Sequence, residues 1–280
     1  MILIKKSSDL LSHISKLKEA NRIIGFVPTM GALHDGHLSL IESAKQKCDI
    51  VICSIFVNPT QFNQASDLAS YPRTLENDIR LLLSVSCDIL FHPEIEEVYG
   101  NLLEKESSED YGSFIHVLEG ASRPGHFDGV VTVLRKLFLL VQPNQVYFGQ
   151  KDYQQCLVVK TLIQRSFHDI VFNLCPIARE LDGLAMSSRN VRLNQSEREL
   201  APKIFENLQL VAQNWTISNW ELGLNLAQIN LQQPPFQFEY LCACDPITLD
   251  SLTHFQSNAI ILVAVQLGST RLIDNILVGS

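Results

Sequence analysis

The chain has 280 residues, of which 46% are hydrophobic and 19% charged, with a formal net charge of −8. This is a globular balance with room for two domains and their cores, and it excludes a disordered chain. The acidic balance, without a Lys/Arg block, argues against nucleic acid as a partner, and no apolar run is long enough to span a bilayer.

The N-terminal residues lack a signal-peptide layout, so a soluble, cytoplasmic protein is expected. The seven cysteines include no C-x-x-C spacing and read as buried, reduced thiols. Cys242 and Cys244 would share one face of a strand, which leaves a metal pair open, although no nearby histidine supports it.

Residues 8–20 place Leu10, Leu11, Ile14 and Leu17 at helical spacing, with Ser7 or Ser8 as cap. An apolar run at 23–27 reads as the first inner strand. It enters Pro28-Thr-Met-Gly-Ala-Leu-His-Asp-Gly-His37, and a helical pattern follows at Leu38, Leu40, Ile41 and Ala44. The stretch is a strand-to-helix turn, where open parallel sheets bind ligands. Gly31 and Gly36 permit close backbone approach or positive φ. Amides at the helix start form an anion site, and His34 and His37 can each donate to phosphate. This is the H-x-G-H pattern of nucleotidyltransferase-type α/β folds, seen also in class I aminoacyl-tRNA synthetases.

The apolar run at 49–57 reads as a strand covered on both faces. It breaks at Asn58-Pro-Thr-Gln-Phe62, where Gln61 offers a donor and an acceptor to a hydroxyl or carboxylate, or is simply a solvated turn residue. Tyr71-Pro-Arg-Thr74 opens a helix with Pro72 in its first turn. Arg73 opposes the helix dipole there, which hints at a task elsewhere. A short strand at 88–91 and a polar excursion at 101–111 follow. Residues 114–118 read as a strand, and the turn-rich 119–129 carries Arg123 and His126, as connector or as phosphate contact.

Residues 130–141 read as a buried helix and 145–148 as a strand ending in Gly149-Gln-Lys-Asp152. Lys151 supplies a point charge suited to phosphate oxygens. Asp152 caps the next helix or meets a ribose hydroxyl, and Gln154 and Gln155 follow. Residues 169–174 form the last inner strand. The alternation predicts an α/β fold, a Rossmann-like doubly wound parallel sheet with right-handed crossovers.

Residues 176–190 read as hinge-like. Within them Ser187, Ser188 and Arg189 suit leaving phosphates, much as the K-M-S-K-S loop does in tRNA synthetases. Beyond about residue 196, helical patterns at 196–213 and 218–231 give way to strands at 236–244 and 259–267, with a hairpin closed by 271–275. Two domains are therefore expected: a nucleotide-binding domain at 1–176, and a smaller α+β domain at 177–280 that closes over its site.

In order and over nearly the whole chain, these motifs resemble the pantothenate synthetase (pantoate–β-alanine ligase) family. Three further stretches carry the match: Glu119-Gly-Ala-Ser-Arg-Pro-Gly-His-Phe127, Phe148-Gly-Gln-Lys-Asp-Tyr-Gln-Gln155 and Arg271-Leu-Ile-Asp-Asn275. The resemblance implies two steps. The carboxylate of (R)-pantoate attacks the α-phosphate of ATP, giving pantoyl adenylate and pyrophosphate. The β-alanine amine then attacks the acyl carbon, giving pantothenate and AMP. It also implies a homodimer, Mg²⁺ accompanying ATP, no prosthetic group and no covalent enzyme intermediate.

Residue by residue, the resemblance places Met30, Gly31, Ala32, Leu33, His34, Asp35, Gly36 and His37 around ATP. Gly149, Gln150, Lys151 and Asp152 form a second ATP segment, Ala178 a backbone contact to adenine, and Met186, Ser187, Ser188 and Arg189 a triphosphate loop. His34, His37 and Lys151 are the expected catalytic donors. Gln61 and Gln155 would hold pantoate, with Gln61 also near β-alanine. No metal ligand is assigned. Arg123 and His126 match positions near the site. Leu139 stands where asparagine is frequent, bearing on a polar contact beneath the site, and Arg192 stands where an aromatic is frequent. The rivals are a nucleotidyltransferase acting on a phosphorylated acceptor, disfavoured by the uncharged glutamine pair, and a nucleotide sensor without chemistry.

Overall fold

The computed structural model describes residues 1–62, 68–69, 71–100 and 111–279. It divides into two compact units. One comprises Met1–Gly149 with Gln154–Pro176, the other Gln150–Tyr153 with Ile177–Ser280. The excursion read at 101–111 lies, apart from Tyr111, outside the described residues.

The first unit is a six-stranded sheet in the order β1-β4-β3-β2-β5-β6. Its strands are β1 (Ile2–Ile4), β2 (Ile24–Thr29), β3 (Ile50–Ile55), β4 (Ile89–Phe91), β5 (Gln145–Gly149) and β6 (Val171–Cys175), and every pairing is parallel. The order reverses at β2, which pairs with β3 on one side and β5 on the other, so the ligand crevice of such a sheet falls at the carboxyl end of β2. Val27, Val51, Cys53 and Leu90 are buried with Ile41 and Ala44 of α2 (Asp35–Lys45), which covers one face of the sheet there.

Several local readings change. Strand β1 is three residues long, too short to show periodicity, and was not expected. Helix α1 (Ser7–Glu19) has Lys6 at its N-cap, and Ser7 does not cap it, because its hydroxyl is bound to Glu97. Helix α3 (Leu75–Ser84) begins after Pro72, with Thr74 as N-cap. Residues 114–118 are not a strand. Ser113–His116 is a 3₁₀ turn and α5 spans Leu118–Ser122, after α4 (Ile95–Tyr99). The side chain of Gln154 replaces a strand partner there, donating to the carbonyls of Phe114 and Val117 and accepting from the Glu119 amide. Part of the turn-rich 119–129 is helical too, since α6 runs His126–Val141. Helix α7 (Tyr153–Ser166) leads to β6.

In the second unit, helices α8 (Gln195–Leu200), α9 (Lys203–Gln213) and α10 (Trp220–Leu231) accompany an antiparallel sheet. Pro202, at the N-cap of α9, breaks what read as one helix. The sheet is β7 (Phe236–Cys244), β8 (Ala259–Leu267) and β9 (Thr270–Val278). Ile204, Leu208, Val211 and Leu231 pack with Ile261, Val263 and Val265. The β8–β9 hairpin turns at Gly268 and Ser269, and residues 271–275 lie on its returning strand, as read. No helix among the described residues is long and apolar enough to cross a membrane.

Candidate active site

The turn after β2 is built on left-handed backbone. Gly31 has φ +81° and Ala32 φ +50°. A Cβ on Gly31 would meet Ile55 Cγ2 at 3.0 Å and Asp78 Oδ2 at 3.1 Å, so both the backbone angle and the tight space favour glycine there. Asp78 on α3, 1% exposed, accepts the amides of Ala32 at 3.0 Å and Leu33 at 2.9 Å, and the Thr74 hydroxyl at 3.0 Å.

His34 is the N-cap of α2, and its Nδ1 accepts the Gly36 N–H at 3.2 Å. The Nδ1 of His37 accepts the His34 N–H in return, at a longer 3.4 Å. A ring nitrogen that accepts carries no proton, so in each neutral imidazole the proton is assigned to Nε2. The two rings lie 4.1 Å apart between centroids and both present an Nε2–H donor.

Most amides of this turn have partners within the protein. The amides of Ala32 and Leu33 go to Asp78, those of His34 and Gly36 to the imidazoles, and those of His37 and Leu38 to the His34 carbonyl. The imidazole Nε2–H groups thus stand beside the backbone amides as donors at this turn.

Gln61 ends a 3₁₀ turn, Pro59–Gln61, after β3. Asn58, fully buried, holds that turn. Its Oδ1 accepts from Thr60 Oγ1 at 2.9 Å and Tyr99 Oη at 2.6 Å. Its Nδ2 donates to Gln61 Oε1 and to the Gly129 carbonyl, both at 3.1 Å. Burial pushes the Tyr99 phenol up to about 12, so it stays a donor. Gln61 Nε2 points to Met30 Sδ at 2.9 Å, which ties the glutamine turn to the histidine turn.

Arg123 and His126, read as a connector or as a phosphate contact, reach the backbone of Gln61. His126 Nδ1 lies 2.9 Å from its carbonyl oxygen and the Arg123 guanidinium 3.5 Å from it. Gln155 is half-buried on α7, beside the structural Gln154. Arg73 is exposed.

In the second unit, Gln150–Asp152 forms a 3₁₀ turn, and Lys151 Nζ lies 3.6 Å from Asp152 Oδ1. The side chain of Asn275 on β9 donates to the carbonyls of Gln150 and Lys151. The segment read as a hinge is a hydrogen-bonded hairpin, with Arg179 bridged to Ala185 and the Met186 amide on the Ala178 carbonyl at 3.0 Å. Arg198 closes its outer side on Asp182 and Glu180, and holds the Asp182 carboxyl below the usual range. Beyond it Ser187 Oγ accepts the Arg189 amide at 3.2 Å, and Met186, Ser188 and Arg189 are half-buried.

Comparison with known proteins decides the family. The model of the family described as Pantoate-beta-alanine ligase matches residues 2–277. The pantothenate synthetase of Acinetobacter baylyi is 44% identical over 279 residues, covering 95% of each chain. The chain belongs to the pantoate–β-alanine ligase family. The crystal structure of pantothenate synthetase from Thermus thermophilus aligns with a TM-score of 0.90 at 39% identity, covering 99% of both chains. The pantoate–β-alanine ligase of Francisella tularensis, crystallised with beta-gamma ATP and beta-alanine, aligns with a TM-score of 0.81 at 39% identity, over 99% of this chain and 97% of that one.

Two positions, Leu139 and Arg192, read as departures from the pattern of the pantoate–β-alanine ligases. Leu139 does not lie beneath a site. It is 58% exposed, on the outer side of α6. Arg192 ends the 3₁₀ turn Asn190–Arg192. Cys242 and Cys244 do share a strand face, with sulfurs 3.6 Å apart, and the Cys242 thiol is pushed up by its hydrogen bond with Cys244 and by burial. Among the described residues no group of three or more His, Cys, Asp or Glu is placed to hold a metal ion.

Asn58, Asp78, Tyr99, Gly129 and Asn275 were missed as site residues. Asp78 had a usable signal: it falls on the apolar stripe of α3 between Leu75 and Leu82, where a carboxylate needs partners. Asn58 had one too, as the N-cap of its own turn, where its side chain accepts from Thr60; for Tyr99, Gly129 and Asn275 the partners are too far along the chain for any local pattern.

Proposed function

We propose that the chain condenses (R)-pantoate with β-alanine to form pantothenate, through pantoyl adenylate, with ATP converted to AMP and pyrophosphate. In the first step a pantoate carboxylate oxygen bonds to the α-phosphorus and the bond to the bridging oxygen of pyrophosphate breaks. Negative charge moves onto the phosphate oxygens, and donors that meet it there stabilise the transition state more than the ground state. His34 and His37 supply such donors through Nε2–H, and Lys151, Ser187, Ser188 and Arg189 supply others. Gln61 and Gln155 offer amides to the hydroxyl and carboxylate of pantoate, without a charge that would favour a phosphorylated acid.

In the second step the β-alanine amine bonds to the acyl carbon, loses a proton, and AMP leaves. No side chain is asked to act as a nucleophile, so catalysis rests on positioning and charge stabilisation. Mg²⁺ would enter with ATP as part of that substrate and would offset the charge on its phosphates. A cytoplasmic homodimer is the expected form.

The observation that carries the reading is the reciprocal cap of His34 and His37, on a chain matched to the family from residue 2 to residue 277. The test is pyrophosphate release from Mg·ATP and pantoate, with and without β-alanine. A single-turnover burst without the amine and steady AMP and pantothenate with it are expected. ATP binding without turnover on any carboxylate would favour a sensor instead.

A further inference from the structure

Two neighbours on β9 face opposite sides of the sheet, as side chains alternate along a strand. Asp274, 4% exposed, takes both ends of the Arg179 guanidinium at 2.6 and 2.9 Å, and that guanidinium lies 3.6 Å over the Phe205 ring. Asn275, 1% exposed, spends its whole amide on one short segment. Its Nδ2 donates to the carbonyls of Gln150 and Lys151, both at 3.0 Å, and its Oδ1 accepts from Gln150 Nε2 at 3.1 Å.

That segment needs outside support. Gln150–Asp152 is a 3₁₀ turn of only three residues. Tyr153 holds the far end through its hydroxyl on the Pro246 carbonyl at 2.9 Å. Lysine carries its charge on a flexible four-carbon stem, so the reach of its ammonium depends on where the main chain is fixed. Asn275 fixes the carbonyl of Lys151 itself.

We infer that Asn275 is a positioning residue for Lys151, and that Asp274, through Arg179, does the same for the hairpin at 178–186 that leads into residues 186–189. One dipeptide, far from both segments in sequence, sets the placement of both. The inference rests on the role proposed above for Lys151.

The test is a double-substitution cycle on the burst rate of pyrophosphate from Mg·ATP and pantoate. Asn275→Asp keeps the shape but has no N–H for the two carbonyls. It is expected to slow the burst by roughly tenfold to a hundredfold, the usual result of a small misplacement, with the pantoate KM within about twofold of wild type. On a Lys151→Ala background the same change is expected to cost less than about twofold, because non-additivity marks residues that act through one another. Where Asn275→Asp fails to fold, Asn275→Ser keeps one donor and is expected to give a smaller loss with the same non-additivity. Losses that multiply in the double variant, or an equal loss of pantoate binding, overturn the inference. A Lys151→Ala variant with a near-normal burst overturns the role of Lys151 beneath it.

Discussion

The carboxylate of Asp78 holds the amide of Leu33 at 2.9 Å across forty-five positions of sequence, and so fixes the turn that carries His34 and His37. Replacing it with alanine leaves the Ala32 and Leu33 amides without their acceptor, at about 1–3 kcal/mol for each buried group. Asp78→Ala is expected to lower the urea unfolding midpoint and to slow adenylate formation at least roughly tenfold, since the donors it places act on the transition state. Equilibrium unfolding and pyrophosphate release check both parts. An unchanged burst rate in a folded variant would show that the turn holds its shape without Asp78.

His34 has two separable tasks. Its Nδ1 caps α2, and its Nε2–H is the donor offered to phosphate. Asparagine is among the best N-cap residues, whereas alanine costs about 1 kcal/mol at that position. His34→Asn is therefore expected to keep wild-type stability while kcat/KM falls roughly a hundredfold, as for one lost transition-state donor. His34→Ala is expected to lose both. Thermal unfolding beside steady-state kinetics distinguishes the two tasks, and normal kinetics in His34→Asn would remove the imidazole from the chemistry.

Gly129 lets α6 touch the glutamine turn. A Cβ there would lie 2.4 Å from the Thr60 carbonyl oxygen and 2.7 Å from Gln61 Cα, and main chain cannot move aside as a side-chain tip can. Gly129→Ala is expected to displace Gln61, weakening pantoate binding by about tenfold or more, and to destabilise the first unit by about 1–3 kcal/mol. Calorimetric titration with pantoate is the measurement. Unaltered affinity would mean that Gln61 does not bind it.

Glu97 acts as a remote cap on α1. It accepts from Lys6 Nζ at 2.8 Å and from the amide and hydroxyl of Ser7 at 2.8 and 2.7 Å. Lys6 and then Ser7 hold its carboxyl down at about 2, below the ordinary value of about 4.3. A depressed carboxyl contributes stability above its unfolded value and loses it as pH falls through the folded one. The difference in urea midpoint between wild type and Glu97→Gln is expected to be constant above about pH 5 and to vanish toward about pH 2. A difference that persists at acid pH would place the effect elsewhere.

The sequence alone determined the histidine turn, the alternation of strands and helices, the acidic balance and the order of motifs. These are local or summed properties, so a period of 2 or 3.6 and a few glycines suffice to express them. Only the tertiary structure decided that Asp78 takes the Ala32 and Leu33 amides. It alone turned Arg123 and His126 to the Gln61 backbone, replaced a strand at 114–118 with a turn held by Gln154, and joined Asn275 to Lys151. Each of those depends on partners tens to over a hundred positions apart. A buried donor or acceptor takes whichever partner the packed fold brings near, and leaving it unpaired is costly. The chain order of residues does not specify that choice until the sheet and helices are assembled.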